Sequence, residues 1–201
     1  MAVYSNGTAL INNGALDSGV STGSLTLIST ATASSSAAVN ITSGITSSYD
    51  TYIIEFTNVH PSGNSVEMDF NMSTDGGSNF NVAKTTTAGY SYNDEAGTST
   101  EYGHNTSKTK SNGTGNQFLL GALGNDNDQS ASGYLILYEP SSTTMVKHFV
   151  TRISYSHRAD YTQEYWIAGY GNTTSAVNAV GFAMSSGNID SGTFKLYGVG
   201  N

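Results

Sequence analysis

Few side chains in this sequence are spaced for catalysis. Asp and Glu total 15 in 201 residues. Asp94 and Glu95 are adjacent, so on a strand they would point to opposite sides and could not flank one bond. Glu67 and Asp69 share the polar side of SVEMDFNMS at a separation open to a glycosidase pair. Any i, i+2 pair has that separation, and a solvated strand face is the expectation. Alternating Asp126, Asn127 and Asp128 in GNDNDQS form a candidate Ca²⁺ set. The glycine at position six and glutamate at position twelve of an EF-hand loop are missing, so a polar turn is expected instead. The histidines, His60, His104, His148 and His157, are scattered, although His157 could meet Asp160. No G-x-S-x-G elbow marks a nucleophile among the many serines. The absence of cysteine removes thiol nucleophiles, disulfides and Cys-zinc sites together. The expectation is a protein that is not an enzyme, with no cofactor and no resident metal.

Binding without catalysis fits the aromatic residues better. Tyr90, Tyr92 and Tyr102 sit in a polar, turn-rich stretch over residues 88–116, expected as a long exposed loop or protruding hairpin. Tyr155, His157, Arg158, Tyr161, Tyr165 and the single tryptophan, Trp166, crowd SYSHRADYTQEYW, with Arg152 just before it. Sugars are held by rings stacked on their faces and by surrounding amides and carboxylates. Clustered Tyr, Trp and Arg also make interface hot spots. Alternation puts Trp166, Ala168 and Tyr170 on one side of a strand and Tyr165 and Ile167 on the other. One side must serve the core, so part of the cluster is structural.

The elements that must position these residues are strands. Leu25/Leu27, Val39/Ile41, Val66/Met68/Phe70/Met72 and Phe194/Leu196 each recur with period two. About eleven runs are expected: GSLTLIST, SAAVNIT, YDTYIIEFTNV, SVEMDFNMS, NFNVA, NQFLLGAL, SGYLILYEP, MVKHFVTRIS, TQEYWIAGY, VNAVGFAMS and SGTFKLYGV. In MVKHFVTRIS, His148 falls on the side of Val146 and Val150. No amphipathic helix is visible. Without helical crossovers the sheets should be antiparallel. The fold class expected is all-β, an antiparallel jelly-roll-like β-sandwich over residues 23–201 with an N-terminal arm or docking hairpin over 1–22.

Composition narrows the partners. Charged residues are only 11%, the formal net charge is −8, and the seven Lys and Arg are scattered. No basic stripe could neutralise nucleic-acid phosphates or an anionic membrane surface, so neither is expected as a partner. The start, MAVYSNGTALINNG, has no basic and apolar signal-peptide pattern, and synthesis in the cytosol is expected. Aromatic residues reach 10%, too many for a disordered chain.

An early LISTATASSSAAVNITSGITSSYDTYIIEFTNV and a late SSGNIDSGTFKLYGVG, with STDGGSNF and GNDNDQSASGYLILYEPSSTT between them, resemble a diffuse group of small β-sandwich virion surface proteins of tailed, especially marine, bacteriophages. The resemblance runs from Leu25 to Gly198 and supplies no active-site residues. It implies a structural protein of the virion, made in the host cytoplasm and released by lysis. A tail-fibre or receptor-binding subunit contacting a host cell-surface glycan is favoured over a capsid decoration protein. It further implies a homotrimer, joined to other virion proteins through the N-terminal arm. Two rivals from other classes are a free carbohydrate-binding module or lectin, and a glycan-degrading enzyme.

Overall fold

The computed structural model describes residues 25–200 and, before them, the backbone of three short strands: β1 (Val3–Ser5), β2 (Thr8–Asn12) and β3 (Ala15–Leu16). These three form a small antiparallel sheet in chain order. The docking role expected of the N-terminal arm lies outside the described residues.

Twelve further strands follow: β4 (Leu25–Ser36), β5 (Val39–Ile41), β6 (Thr51–Pro61), β7 (Val66–Ser73), β8 (Lys84–Asp94), β9 (Thr100–His104), β10 (Gln117–Leu123), β11 (Ala131–Tyr138), β12 (Lys147–His157), β13 (Tyr161–Gly171), β14 (Ala179–Met184) and β15 (Ile189–Val199). All their pairings are antiparallel. The only helix among the described residues is one 3-10 turn, Thr106–Lys108. The protein is all-β.

Strands β4-β15-β6-β11 lie side by side, and β5-β14-β7-β10 form a second layer. The chain crosses from one layer to the other at almost every step, the order of a double Greek key. Two strand pairs depart from that alternation. β12 and β13 are inserted between β11 and β14, and β8 and β9 between β7 and β10. All four extend the first layer to eight strands, β4-β15-β6-β11-β12-β13-β8-β9. A single pairing, Leu123 with His157, joins the two layers and makes the sheet nearly closed.

The core lies between the layers. Phe70 of β7 meets Phe149 of β12 edge to face at 5.0 Å, and Phe182 of β14 lies 5.2 Å from Phe194 of β15. Alternation explains who goes in. On β12 the buried side carries Lys147, Phe149, Thr151, Ile153, Tyr155 and His157, while His148 and Arg152 are exposed.

The structure refines or corrects three expectations. Residues 79–83 of NFNVA are not a strand; the run KTTTAGYSYND is. Its Thr and Tyr residues hide the alternation, yet suit a half-buried sheet position. Of the two forms expected for 88–116, loop or hairpin, the hairpin is present: β9 closes on β8, and β8 also pairs with β13 over eleven residues, Lys84–Asp94. The Glu67/Asp69 face is not freely solvated. The return from β9 to β10 passes over it, Lys108 Nζ bonds Glu67 Oε1, and both acids are half-buried. Burial, then the neighbouring Glu67, raises the Asp69 carboxyl above its usual range.

The same return buries a cation. Lys84 is fully buried, and its Nζ donates to Asn71 Oδ1 and to Val82 O at 2.7 Å. Asn71 in turn donates to Phe80 O at 2.7 Å and Thr114 O at 3.0 Å. Burial, and then nearby Lys110, lower the Lys84 ammonium from 10.5 to about 8. Between those values the unfolded chain binds more protons than the folded one, so stability should rise with pH. The gain should be on the order of 3 kcal/mol if the whole window is crossed. Thermal melts from pH 8 to 10 should show this rise in the wild type and a smaller one in Lys84→Met, the remainder coming from Lys147, whose pKa burial also lowers. Above pH 10 the trend should reverse, because Tyr90, hydrogen-bonded to Glu101, is held up at about 12 and the unfolded tyrosines ionise first.

Candidate functional site

The four inserted strands present an outer face whose register places its residues in three rows. The first is Arg152, Trp166, Gly89 and His104 across β12, β13, β8 and β9. The next is Ser154, Glu164, Ser91 and Tyr102, and the third is Ser156, Thr162, Asn93 and Thr100.

Tyr102 is 79% exposed and stacks on Trp166, with ring centroids 5.3 Å apart and planes 27° from parallel. The indole extends over the neighbouring strand at Gly89. A Cβ there would fall 2.3–2.6 Å from Nε1, Cε2 and Cζ2 of Trp166. Glycine is therefore required at 89 for the ring to lie flat against the sheet. Arg152 Nε donates to Glu164 Oε1, and the pair flanks the stack. Ser91, Tyr102, Arg152, Glu164 and Trp166 line an open depression of about 360 Å³. A second depression of about 440 Å³ continues from it, sharing Ser91 and Glu164 and lined otherwise by Tyr92, Asn93, Thr100, Ser154 and Thr162.

The sequence candidates separate by side of the sheet. Only Tyr102 and Trp166 come together on the outer face. Tyr155 and Tyr165 are buried core residues, and Tyr90 packs against Tyr165 at 5.6 Å, so these three do not form a ligand surface. The Tyr155 hydroxyl sits between Gly121 O at 2.7 Å and Gln163 Oε1, and burial raises its pKa. Tyr165 accepts a hydrogen bond from Asn105 Nδ2 at 3.0 Å. Tyr92, Tyr161 and His157 form a small stack at one end of the inner side, 5.1 Å and 3.9 Å between successive rings. His157 Nδ1 accepts from the Ala159 N–H, which leaves the ring's proton on Nε2 facing the Tyr161 hydroxyl at 2.8 Å. Burial, reinforced by Arg158, lowers the His157 pKa. Arg158 is exposed in the β12–β13 turn. His157 does not pair with Asp160, whose Oδ1 instead accepts from Gln129 Nε2 at 3.4 Å.

Asp126, Asn127 and Asp128 occupy a turn closed by Gln129 N–H to Asp126 O at 2.9 Å. Among the described residues no group of three or more His, Cys, Asp or Glu is arranged to hold a metal ion. His148 lies on the outer face beside Tyr170, 5.9 Å between rings.

Sequence reasoning missed Glu164 and Ser91. Glu164 is two residues from Trp166, so period two alone places it on the same side. Ser91 is found only once the β8–β13 register is known. No family model, curated protein or solved structure matches this chain.

Proposed function

We propose that this chain is a non-enzymatic surface protein of a bacteriophage virion, of the tail-fibre or receptor-binding kind, which holds a cell-surface carbohydrate on the Tyr102–Trp166 face. One observation carries the recognition part: a stacked, solvent-facing Tyr–Trp plate on the sheet, edged by an ion pair. The plate offers an apolar surface to the C–H face of a pyranose, and Glu164 and Arg152 offer an acceptor and donors to its hydroxyls. The virion part rests on the resemblance of the strand and turn phrases. Weak single sites are made effective there by display in several copies, as on a trimer.

A capsid decoration protein is the second reading, and a different feature favours it. β4 is a twelve-residue strand, LTLISTATASSS, with no charge and no proline. Among the described residues it pairs only with β15, and Leu25 and Leu27 are about half exposed. Such an edge can accept a neighbour's strand.

Immunogold electron microscopy with antibody against the exposed hairpin tip, residues 95–102, separates the readings. Gold at the tail is the expected result, and Tyr102→Ala protein should then lose binding to host cells. Gold over the whole head would assign decoration. A free, soluble lectin would label no particle while still binding sugar.

A further inference from the structure

We infer that the site takes a neutral oligosaccharide laid lengthwise, with one ring on the Tyr102–Trp166 plate and further units over the hydroxyl-rich depression beyond it. This rests on the carbohydrate reading above and adds the ligand's length and charge.

Length follows from the continuity of the two depressions, about 360 and 440 Å³, which share Ser91 and Glu164. Trp166 and Thr162 are four residues apart on β13, about 13 Å of extended chain. That distance exceeds one pyranose ring, so a monosaccharide on the plate would leave the second depression empty. The second depression is also chemically distinct. Tyr92 is its only aromatic residue and Glu164 its only charged one; the rest are Ser, Thr and Asn. The hydroxyls of Ser91, Ser154 and Thr162 have no hydrogen-bond partner among the described residues, so they remain available to a ligand. Tyr92 packs its ring on Tyr161 at the inner side of the sheet, so this half offers a protein partner no outward apolar anchor.

Neutrality follows from the charges. Arg152 is the only cation lining either depression, and Glu164 already engages it. The chain's net charge of −8 further disfavours an anionic glycan. The ion pair suits vicinal hydroxyls instead: the carboxylate accepts from one, and the terminal guanidinium nitrogens donate to its neighbour.

The test is an array of neutral gluco-, galacto-, manno- and N-acetylglucosamine oligosaccharides, one to six units long, printed beside sulfated and uronic-acid counterparts. At least one neutral series should bind, with affinity rising roughly tenfold from one unit to three, equivalent to about 1.4 kcal/mol. The double variant Asn93→Ala/Thr162→Val, checked for an unchanged melting temperature, should lose that length dependence. A flat length series that still disappears in Trp166→Ala would overturn the extended site and leave the carbohydrate reading standing. Binding confined to the acidic sugars would overturn neutrality. Binding to no sugar would remove both this inference and the reading beneath it.

Discussion

Leu196→Asp should yield no folded protein. Leu196 is fully buried on β15, between Ser29 of β4 and Ile54 of β6, in the same inward row as Phe194. Truncating such a leucine to alanine costs about 2–5 kcal/mol. A carboxylate adds desolvation with no cation to meet it. Together these consume most or all of the 5–15 kcal/mol that stabilises a typical domain. Far-UV circular dichroism and gel filtration should show an unfolded or aggregated chain. Leu196→Met, which keeps the volume, should cost less than about 1.5 kcal/mol and melt cooperatively. A Leu196→Asp protein that melts like the wild type would mean that the last strand is not part of the core.

Gly89→Val should remove the Tyr102–Trp166 plate while leaving the fold. The new Cβ would occupy the space of the indole, and the aromatic ring must swing off the sheet. The strand itself should tolerate the change, since valine favours extended backbone more than glycine does. Trp166 is the only tryptophan, so intrinsic fluorescence reports on it alone. Its emission should shift to the red as the ring enters water. On the proposed carbohydrate reading, sugar affinity should fall by about 30-fold, the cost of losing an aromatic hot spot worth about 2 kcal/mol. Unchanged emission together with unchanged binding would show that the glycine does not govern the ring.

Much of the fold was legible because alternation is a local signal. Val66, Met68 and Phe70 are buried at every second position of β7, and Phe194 and Leu196 do the same on β15. The same signal sorted Tyr165 and Ile167 from Trp166. It failed where side chains are ambiguous. Threonine and tyrosine in KTTTAGYSYND read as loop or strand with equal ease, and the pairing of β8 with β13 joins residues from 67 positions apart (Asp94 and Tyr161) to 87 (Lys84 and Gly171). Lys84 and Lys147 are fully buried, contrary to what charge suggests, because backbone or amide oxygens receive each ammonium. The candidate site was half legible for the same reason. Trp166 and Glu164 share one strand and one parity, but Tyr102 and Ser91 reach them only through a hairpin whose register is a property of the folded sheet.

Every residue lining the two depressions belongs to β8, β9, β12 or β13, the four strands inserted into the double Greek key. These strands answer to two masters by parity. Their inward residues, among them Ala88, Phe149, Ile153, Tyr165 and Ile167, complete the core and are not free to change. Outward residues such as Asn93, Ser154 and Thr162 are exposed and lie outside the core. Such a surface is an exchangeable panel on a fixed frame: its outward side chains can be rewritten at every second position while the eight-stranded frame remains as it is. Gly89 and Trp166 are locked to each other through the ring's path across the sheet, and Tyr102 stacks on that ring, so any rewriting that keeps the plate must keep all three.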